Sequence, residues 1–235
     1  MAKKPSMHIE YREVTYDSEH WTLLAHLREK AACLMEAMEK ANLESIVHGS
    51  IARGDVSEKS DVDVFLQTPA SSFVVETALE KAGIRTERRL IVQATPTYTM
   101  KAHIEVGERA NVTFPLMKMR KVEREFYVFG GKVSLQDIRE DLRVAGVDKR
   151  LMLIEPTHEG HMESTVVGRE EQVARILGLS IETVMDRVRA LTRRDHVGRT
   201  GVFVEEELLT DETFEMAMER LMKKNPAVRR RARSA

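Results

Sequence analysis

Ten residues separate Gly49-Ser50 from Asp61-Val62-Asp63, and this stretch, His48-Gly-Ser-Ile-Ala-Arg-Gly-Asp-Val-Ser-Glu-Lys-Ser-Asp-Val-Asp-Val-Phe-Leu66, constrains the fold more than any other. Ser45 to His48 is a short apolar run that predicts a strand. Asp61 to Leu66 alternates carboxylate and apolar residues at period two, which predicts a second strand. A strand ending at His48 brings Gly49 and Ser50 to its C-terminal edge. Glycine has no Cβ and lets the backbone approach an anion closely. The backbone N–H groups and the Ser50 hydroxyl there suit triphosphate oxygens. On the next strand Asp61 and Asp63 are two apart and share a face. Two carboxylates on one face repel unless a cation sits between them. Mg²⁺ suits the pair, because it takes a few carboxylates plus substrate phosphates and water. Val62 and Val64 then point the other way, into a core.

The elements around this stretch predict an α/β domain. Residues 18 to 40 repeat apolar side chains at helical spacing (Leu23, Leu24, Leu27, Ala31, Leu34, Met35, Met38), with Asp17 or Ser18 at the start and Asn42 at the end. A second helix covers residues 71 to 82 and closes at Gly83. Strands follow over 84–93, 98–106 and 110–114, the last two joined at Gly107-Glu108-Arg109. This order implies a mixed sheet. The expected organisation is a domain over 1–131, a connecting segment over 132–164, a second module over 165–204, and a final helix with a basic tail over 205–235. In the connecting segment, 135–144 looks helical and 151–155 looks like a strand, followed by a loop.

Gly49-Ser50-x10-Asp61-x-Asp63, with Ala52-Arg53-Gly54 after Gly-Ser and Ser60 before the first aspartate, resembles the signature of the DNA polymerase beta-like nucleotidyltransferase superfamily, in the form carried by its minimal members. The resemblance covers roughly residues 20 to 130. It implies a third carboxylate on a neighbouring strand, for which Glu105, in His103-Ile104-Glu105-Val106, is the candidate, ahead of Glu87 and Glu108. It also implies two Mg²⁺ ions held by Asp61, Asp63 and Glu105, an NTP substrate with ATP expected, and transfer of a nucleoside monophosphate to a hydroxyl with no covalent enzyme intermediate. Gly49, Ser50 and Arg53 are the expected nucleotide contacts. Arg53 has a second reading, an ion pair with Asp55 or Glu58. The acceptor is open: a protein side chain, an RNA end or a small molecule. Minimal members also act as antitoxins on a partner toxin.

Residues 170–177 and 181–193 predict two helices about the turn Gly178-Leu179-Ser180, with Val173, Ala174, Leu177, Leu179 and Val184 at the positions that pack such a pair. Val188 and Leu191 extend the stripe. With a ribbon over 197–204 this resembles a winged-helix domain, so the whole chain reads as a mixed-sheet nucleotidyltransferase domain followed by a helix-turn-helix. Thr183, Arg187, Arg193, Arg194 and Arg199 are its candidate contacts to DNA or RNA. Glu182 and Asp186 on the same helix repel phosphates. Winged helices also mediate protein contacts, including homodimerisation. The alternative to an enzyme is therefore a nucleic-acid-binding regulator whose first domain senses nucleotide.

Composition narrows the rest. Cys33 is the only cysteine, which excludes an intrachain disulfide or a cysteine zinc cluster. No apolar run reaches the roughly 18 residues that span a bilayer. Met-Ala-Lys-Lys-Pro-Ser carries the charge of a signal peptide without its apolar region. A cytoplasmic chain with no membrane partner is expected. After Glu219 the charged residues are all basic, which suggests either a solvated tail or phosphate contacts. His158-Glu159-Gly160-His161 does not have His-Glu-x-x-His zinc spacing. It reads as a loop with hydrogen-bonded histidines, or as a contact to nucleotide or acceptor.

Overall fold

The computed structural model describes residues 11–198 and 201–234. Along the chain run β1 (Tyr11–Thr15), α1 (Ser18–Lys40), β2 (Ser45–His48), α2 (Ser50–Arg53), β3 (Val62–Leu66), α3 (Ser72–Lys81) and β4 (Arg88–Gln93). Then come β5 (Lys101–Glu105), β6 (Ala110–Pro115), α4 (Lys121–Phe129), β7 (Lys132–Ser134), α5 (Leu135–Arg139), β8 (Gly146–Val147), β9 (Met152–Thr157) and β10 (Gly160–Thr165). The chain closes with α6 (Glu170–Leu177), α7 (Ile181–Val197), β11 (Val204–Glu207), α8 (Phe214–Lys224) and α9 (Pro226–Arg233). Two compact units share these elements. The first holds Met1–Glu29, Val47–Ser60 and Arg124–Thr200; the second holds Lys30–Ile46, Asp61–Glu123 and Gly201–Ala235. Helix α1, strand β2 and helix α4 each run across a unit boundary.

The second unit carries the expected mixed sheet, in the order β11-β4-β5-β6-β3. Strands β3 and β6 are parallel, with Asp63 opposite Asn111. The pairs β5–β6, β4–β5 and β11–β4 are antiparallel. Apolar alternation explains the sheet. Val62 and Val64 on β3, Ala102 and Ile104 on β5, and Val112 and Phe114 on β6 are buried, while Asp63, His103 and Asn111 lie on the opposite, more open face. Phe114 meets Phe214 of α8 edge to face at 5.6 Å, a favourable aromatic arrangement.

The first unit holds an antiparallel sheet in the order β1-β10-β9-β8. Its core gathers Phe129, Leu151, Leu153, Val173, Ala174 and Val184, with Leu177, Leu179, Val188 and Leu191 packed against them. The expected stripes of the helix pair are thus its buried faces, and Gly178 (φ 64°) makes the turn between the helices.

Several elements differ from the sequence-based expectation. Residues 205–224 do not form one helix. Val204–Glu207 is a strand paired with β4, and α8 begins only at Phe214, where the Thr213 hydroxyl accepts from Met216 N–H. The expected wing over 197–204 is not formed among the described residues, because Val204 pairs with Gln93 of β4 instead. The loop expected after Glu155 is a hairpin of β9 and β10. The basic tail is neither frayed nor wholly offered to phosphate. Pro226 opens α9, and the buried Arg231 donates to the carbonyls of Thr97 and Lys118 and pairs with buried Glu123 at 3.3 Å. Among the described residues no helix is long and apolar enough to cross a membrane.

Candidate functional site

The Gly49-Ser50 turn forms where the sequence places it. Gly49 has φ 80° and ψ −142°, a left-handed backbone that a side chain rarely adopts, and its N–H donates to Gly131 O at 2.9 Å. Ser50 opens the four-residue α2. Its hydroxyl donates to Ser60 Oγ at 3.1 Å, and Ser60 Oγ also accepts from Ser57 N–H at 2.9 Å. The loop between Gly-Ser and the aspartates is therefore closed by its own serines, and Ser60 is bonded in sequence to Asp61.

Arg53 has gone to its second reading. Its side chain is buried, with Nη2 2.9 Å from Asp55 Oδ2 and Nη1 donating to Gly130 O at 2.5 Å. A Cβ on Gly131 would lie 2.8 Å from Arg53 Cγ, so Gly131 makes room for the arginine stem. Nη1 and Nη2 of this guanidinium hold the loop, while Nε is buried with no hydrogen-bond partner among the described residues.

Asp61 is exposed just before β3, and Asp63 is half-buried on it. Val62 N–H donates to Arg109 O at 2.8 Å, and Arg109 takes φ 54° in the expected turn at Gly107–Arg109. Asp63, Asn111 and Glu105 occupy one row across β3, β6 and β5, continued by Arg88 on β4. Glu105 is thus two strands from Asp63, about 10 Å at the usual strand spacing. It lies 3.5 Å from Arg88 instead. The three carboxylates do not converge. Among the described residues no group of three or more His, Cys, Asp or Glu is placed to hold a metal.

Asn111 takes the place beside Asp63, its Nδ2 donating to Asp63 Oδ1 at 2.5 Å. Behind it, Thr113 donates to Asn111 Oδ1 at 3.0 Å, and His103 Nδ1 lies 2.9 Å from Thr113 Oγ1. Burial, and then the Lys101 charge, push the His103 pKa down to about 4, against the pull of Asp63. Lys101 itself is pushed down to about 8 by burial, with Glu123 opposing, and its amine lies 5.3 Å over the Phe65 ring. Sequence reasoning missed Lys101, His103, Asn111 and Thr113. The usable signal was period two: 101, 103 and 105 alternate with buried Ala102 and Ile104, as 111 and 113 alternate with Val112.

A Mg²⁺ ion delivered with a triphosphate fits Asp61 and Asp63, since this ion is commonly held by one or two carboxylates plus phosphate and water. A cage of three protein carboxylates does not fit this arrangement.

The first unit has its own polar cleft of about 440 Å³, lined in part by Tyr16, Asp55, Asp148, Arg150, His161 and Glu163. Asp55, Asp148 and Glu163 are matched by arginines. Arg12 and Arg150 each lie 2.7 Å from the buried Glu163, and Arg150 also pairs with Asp148. Burial would raise the Glu163 pKa, but Arg150 and Arg12 bring it below the ordinary value. His161 is buried on β10 at 2.6 Å from the Tyr16 hydroxyl, and burial lowers its pKa, so the ring is neutral. Its Nε2 is buried 3.7 Å from Glu163 Oε2, with no hydrogen-bond partner among the described residues.

The helix pair turns two candidate contacts inward. Thr183 is 1% exposed, and its hydroxyl and that of Ser180 both donate to Glu125. The Arg187 guanidinium lies 4.6 Å over the Phe126 ring. Neither side chain is presented on an open recognition face. Arg193 and Arg194 are exposed. Arg199 lies outside the described residues.

Residues 30–130 match the family model of the nucleotidyltransferase domain. The matched segment contains the Gly-Ser turn and the aspartate pair. Among solved structures, a CCA-adding enzyme in complex with ATP aligns at 15% identity over 96% of this chain and 51% of its own, with a TM-score of 0.33. A tRNA-processing enzyme in an apo form aligns at 12% identity over 68% of this chain and 36% of its own, with a TM-score of 0.25. This chain spans about half the length of the first and about a third of the second. No curated protein sequence matches it.

Proposed function

We propose that the chain transfers a nucleoside monophosphate from an NTP, with ATP the expected donor, to a hydroxyl acceptor, using Asp61 and Asp63 as ligands for Mg²⁺ and the Gly49-Ser50 turn as the seat of the triphosphate. The observation that supports this best is the state of Asp63. It is half-buried, one oxygen is held by the neutral Asn111 amide, and neither it nor Asp61 is in an ion pair among the described residues. A carboxylate kept in place yet not neutralised by a cation of the protein is suited to a cation that arrives with substrate. The ion, when bound, neutralises triphosphate charge and orients the reacting oxygens.

The chain's own residues do the rest by positioning. The serine closure of the 49–60 loop holds the Gly-Ser turn in shape, and Asn111 holds Asp63 in one rotamer. The acceptor hydroxyl attacks the α-phosphorus, the bond to the β-phosphate breaks, and pyrophosphate leaves. With Glu105 paired to Arg88, the arrangement fits a single ion better than two.

A second reading, nucleotide binding without turnover, is favoured by one observation: the neighbour of Asp63 is an amide and not a third acid. In either case the α6–α7 pair is a packed module, and Arg193 and Arg194 are among the exposed cations that would meet a nucleic-acid or protein partner.

Binding of ATP with and without Mg²⁺, and release of pyrophosphate in a cell extract supplying acceptors, test these readings. Transfer requires Mg²⁺-dependent binding and pyrophosphate release, both lost in Asp61→Asn and Asp63→Asn. Binding without release supports the sensor. Binding that is unchanged in both variants refutes the role of Asp61 and Asp63 as metal ligands.

A further inference from the structure

Asp63, Asn111, Thr113 and His103 form a hydrogen-bonded chain whose direction is set by the chemistry of its links. Thr113 has one hydroxyl proton. The Asn111 Oδ1 it faces at 3.0 Å can only accept, so the proton points there. Thr113 Oγ1 is then left as the acceptor for His103 Nδ1 at 2.9 Å, which must carry the ring proton. At the other end, the acceptor-only Asp63 Oδ1 requires Asn111 to present its nitrogen. Reversing the amide would set its oxygen against the acceptor-only Asp63 carboxylate. Every link runs from His103 toward Asp63, and each bond polarises the next.

We propose that His103 is a positioning residue, which acts through Thr113 to lock the Asn111 amide and thereby hold Asp63 with Oδ1 occupied and Oδ2 turned to its cation. The metal part rests on Asp63 being a ligand; the tautomer and the amide orientation stand without it. His103 touches neither the nucleotide nor the ion in this account. Its effect reaches the ion through three side chains, Thr113, Asn111 and Asp63, so it appears in metal affinity more than in fold stability. Loss of a partner behind a metal ligand typically weakens metal binding about 10- to 100-fold.

Two measurements on the full chain test this. Nitrogen-15 NMR of the histidine rings reads the His103 tautomer, and Mn²⁺ binding in the presence of ATP is followed by electron paramagnetic resonance. The neutral His103 is expected with its proton on Nδ1. Thr113→Val keeps the shape but removes the hydroxyl, and should weaken Mn²⁺–ATP binding about 10-fold. Thr113→Ser, which keeps the hydroxyl, should restore it to within about 2-fold. An Nε2–H tautomer, or Thr113→Val binding as tightly as the wild type, overturns the proposal. Equal losses in the valine and serine variants also overturn it, because a packing effect alone then explains them. If the wild type binds no Mn²⁺–ATP while His103 carries its proton on Nδ1, the assignment of Asp63 as a ligand fails and the directed chain is retained.

Discussion

Asp63 on β3 of the second unit and Glu163 on β10 of the first are both carboxylates set into a sheet among polar neighbours. Around Glu163 those neighbours are Arg12, Arg150 and the neutral His161, so its charge is matched within the protein. Around Asp63 the neighbour is the Asn111 amide, which orients the carboxylate without cancelling its charge. Glu105 also faces an arginine, Arg88, at 3.5 Å, but that pair is exposed and Arg88 lies closer to Glu207, at 3.0 Å. The difference separates structural from functional acids better than sequence position does. A carboxylate closed by guanidinium contributes to the fold, and one fixed by an amide keeps its charge for something else.

Four substitutions can break or sharpen this contrast. Asp63→Asn should leave the melting temperature nearly unchanged while transfer falls about 10³-fold, the scale on which loss of one charge-stabilising group is felt. A large fall in melting temperature would move Asp63 into the structural class. Glu163→Gln should do the reverse, destabilising the chain by about 2 kcal/mol through loss of the charged contacts to Arg12 and Arg150, with Arg150 keeping Asp148 and nucleotide affinity retained in the folded fraction. Denaturant titration checks it. The pH dependence has a definite sign. With its folded pKa lowered, Glu163 contributes stability that is present above the ordinary glutamate value and lost as pH falls through the folded value. The glutamine variant should lose that part of the acid sensitivity.

Asn111→Asp would place like charges side by side on adjacent strands and should cost about 1 kcal/mol in metal-free buffer, recovered on adding Mg²⁺. A melt that ignores Mg²⁺ would deny any cation at this row. Glu105→Gln should have the smallest effect, under about 1 kcal/mol, since its pair with Arg88 is exposed on both sides.

Local pattern carried much of the fold. Helical spacing predicts α1 over 18–40, and the helix runs Ser18–Lys40, with Asn42 at φ 58° just beyond. Period two predicts β3 and the burial of Val62 and Val64, and the α6–α7 stripes predict their packed faces. What failed depends on partners distant in sequence. Glu205–Glu207 is expected within the final helix, and pairing with β4 makes it part of a strand. Glu105 reads as a metal ligand until Arg88, 17 residues away, appears beside it. Asn111 carries no charge to draw attention, so its place beside Asp63 emerges only from strand register. Thr183 sits at an exposed-looking helix start, yet Glu125, 58 residues earlier, takes its hydroxyl inward.

The central claim is that Asp63 and not Glu105 is the carboxylate that takes the Mg²⁺ ion. Calorimetric titration of Mg²⁺ with a non-hydrolysable ATP analogue into the wild type, Asp63→Asn and Glu105→Gln tests it most directly. The account predicts binding by the wild type and Glu105→Gln with equal affinity, and its loss in Asp63→Asn. Loss of binding in Glu105→Gln, or undiminished binding in Asp63→Asn, would contradict it.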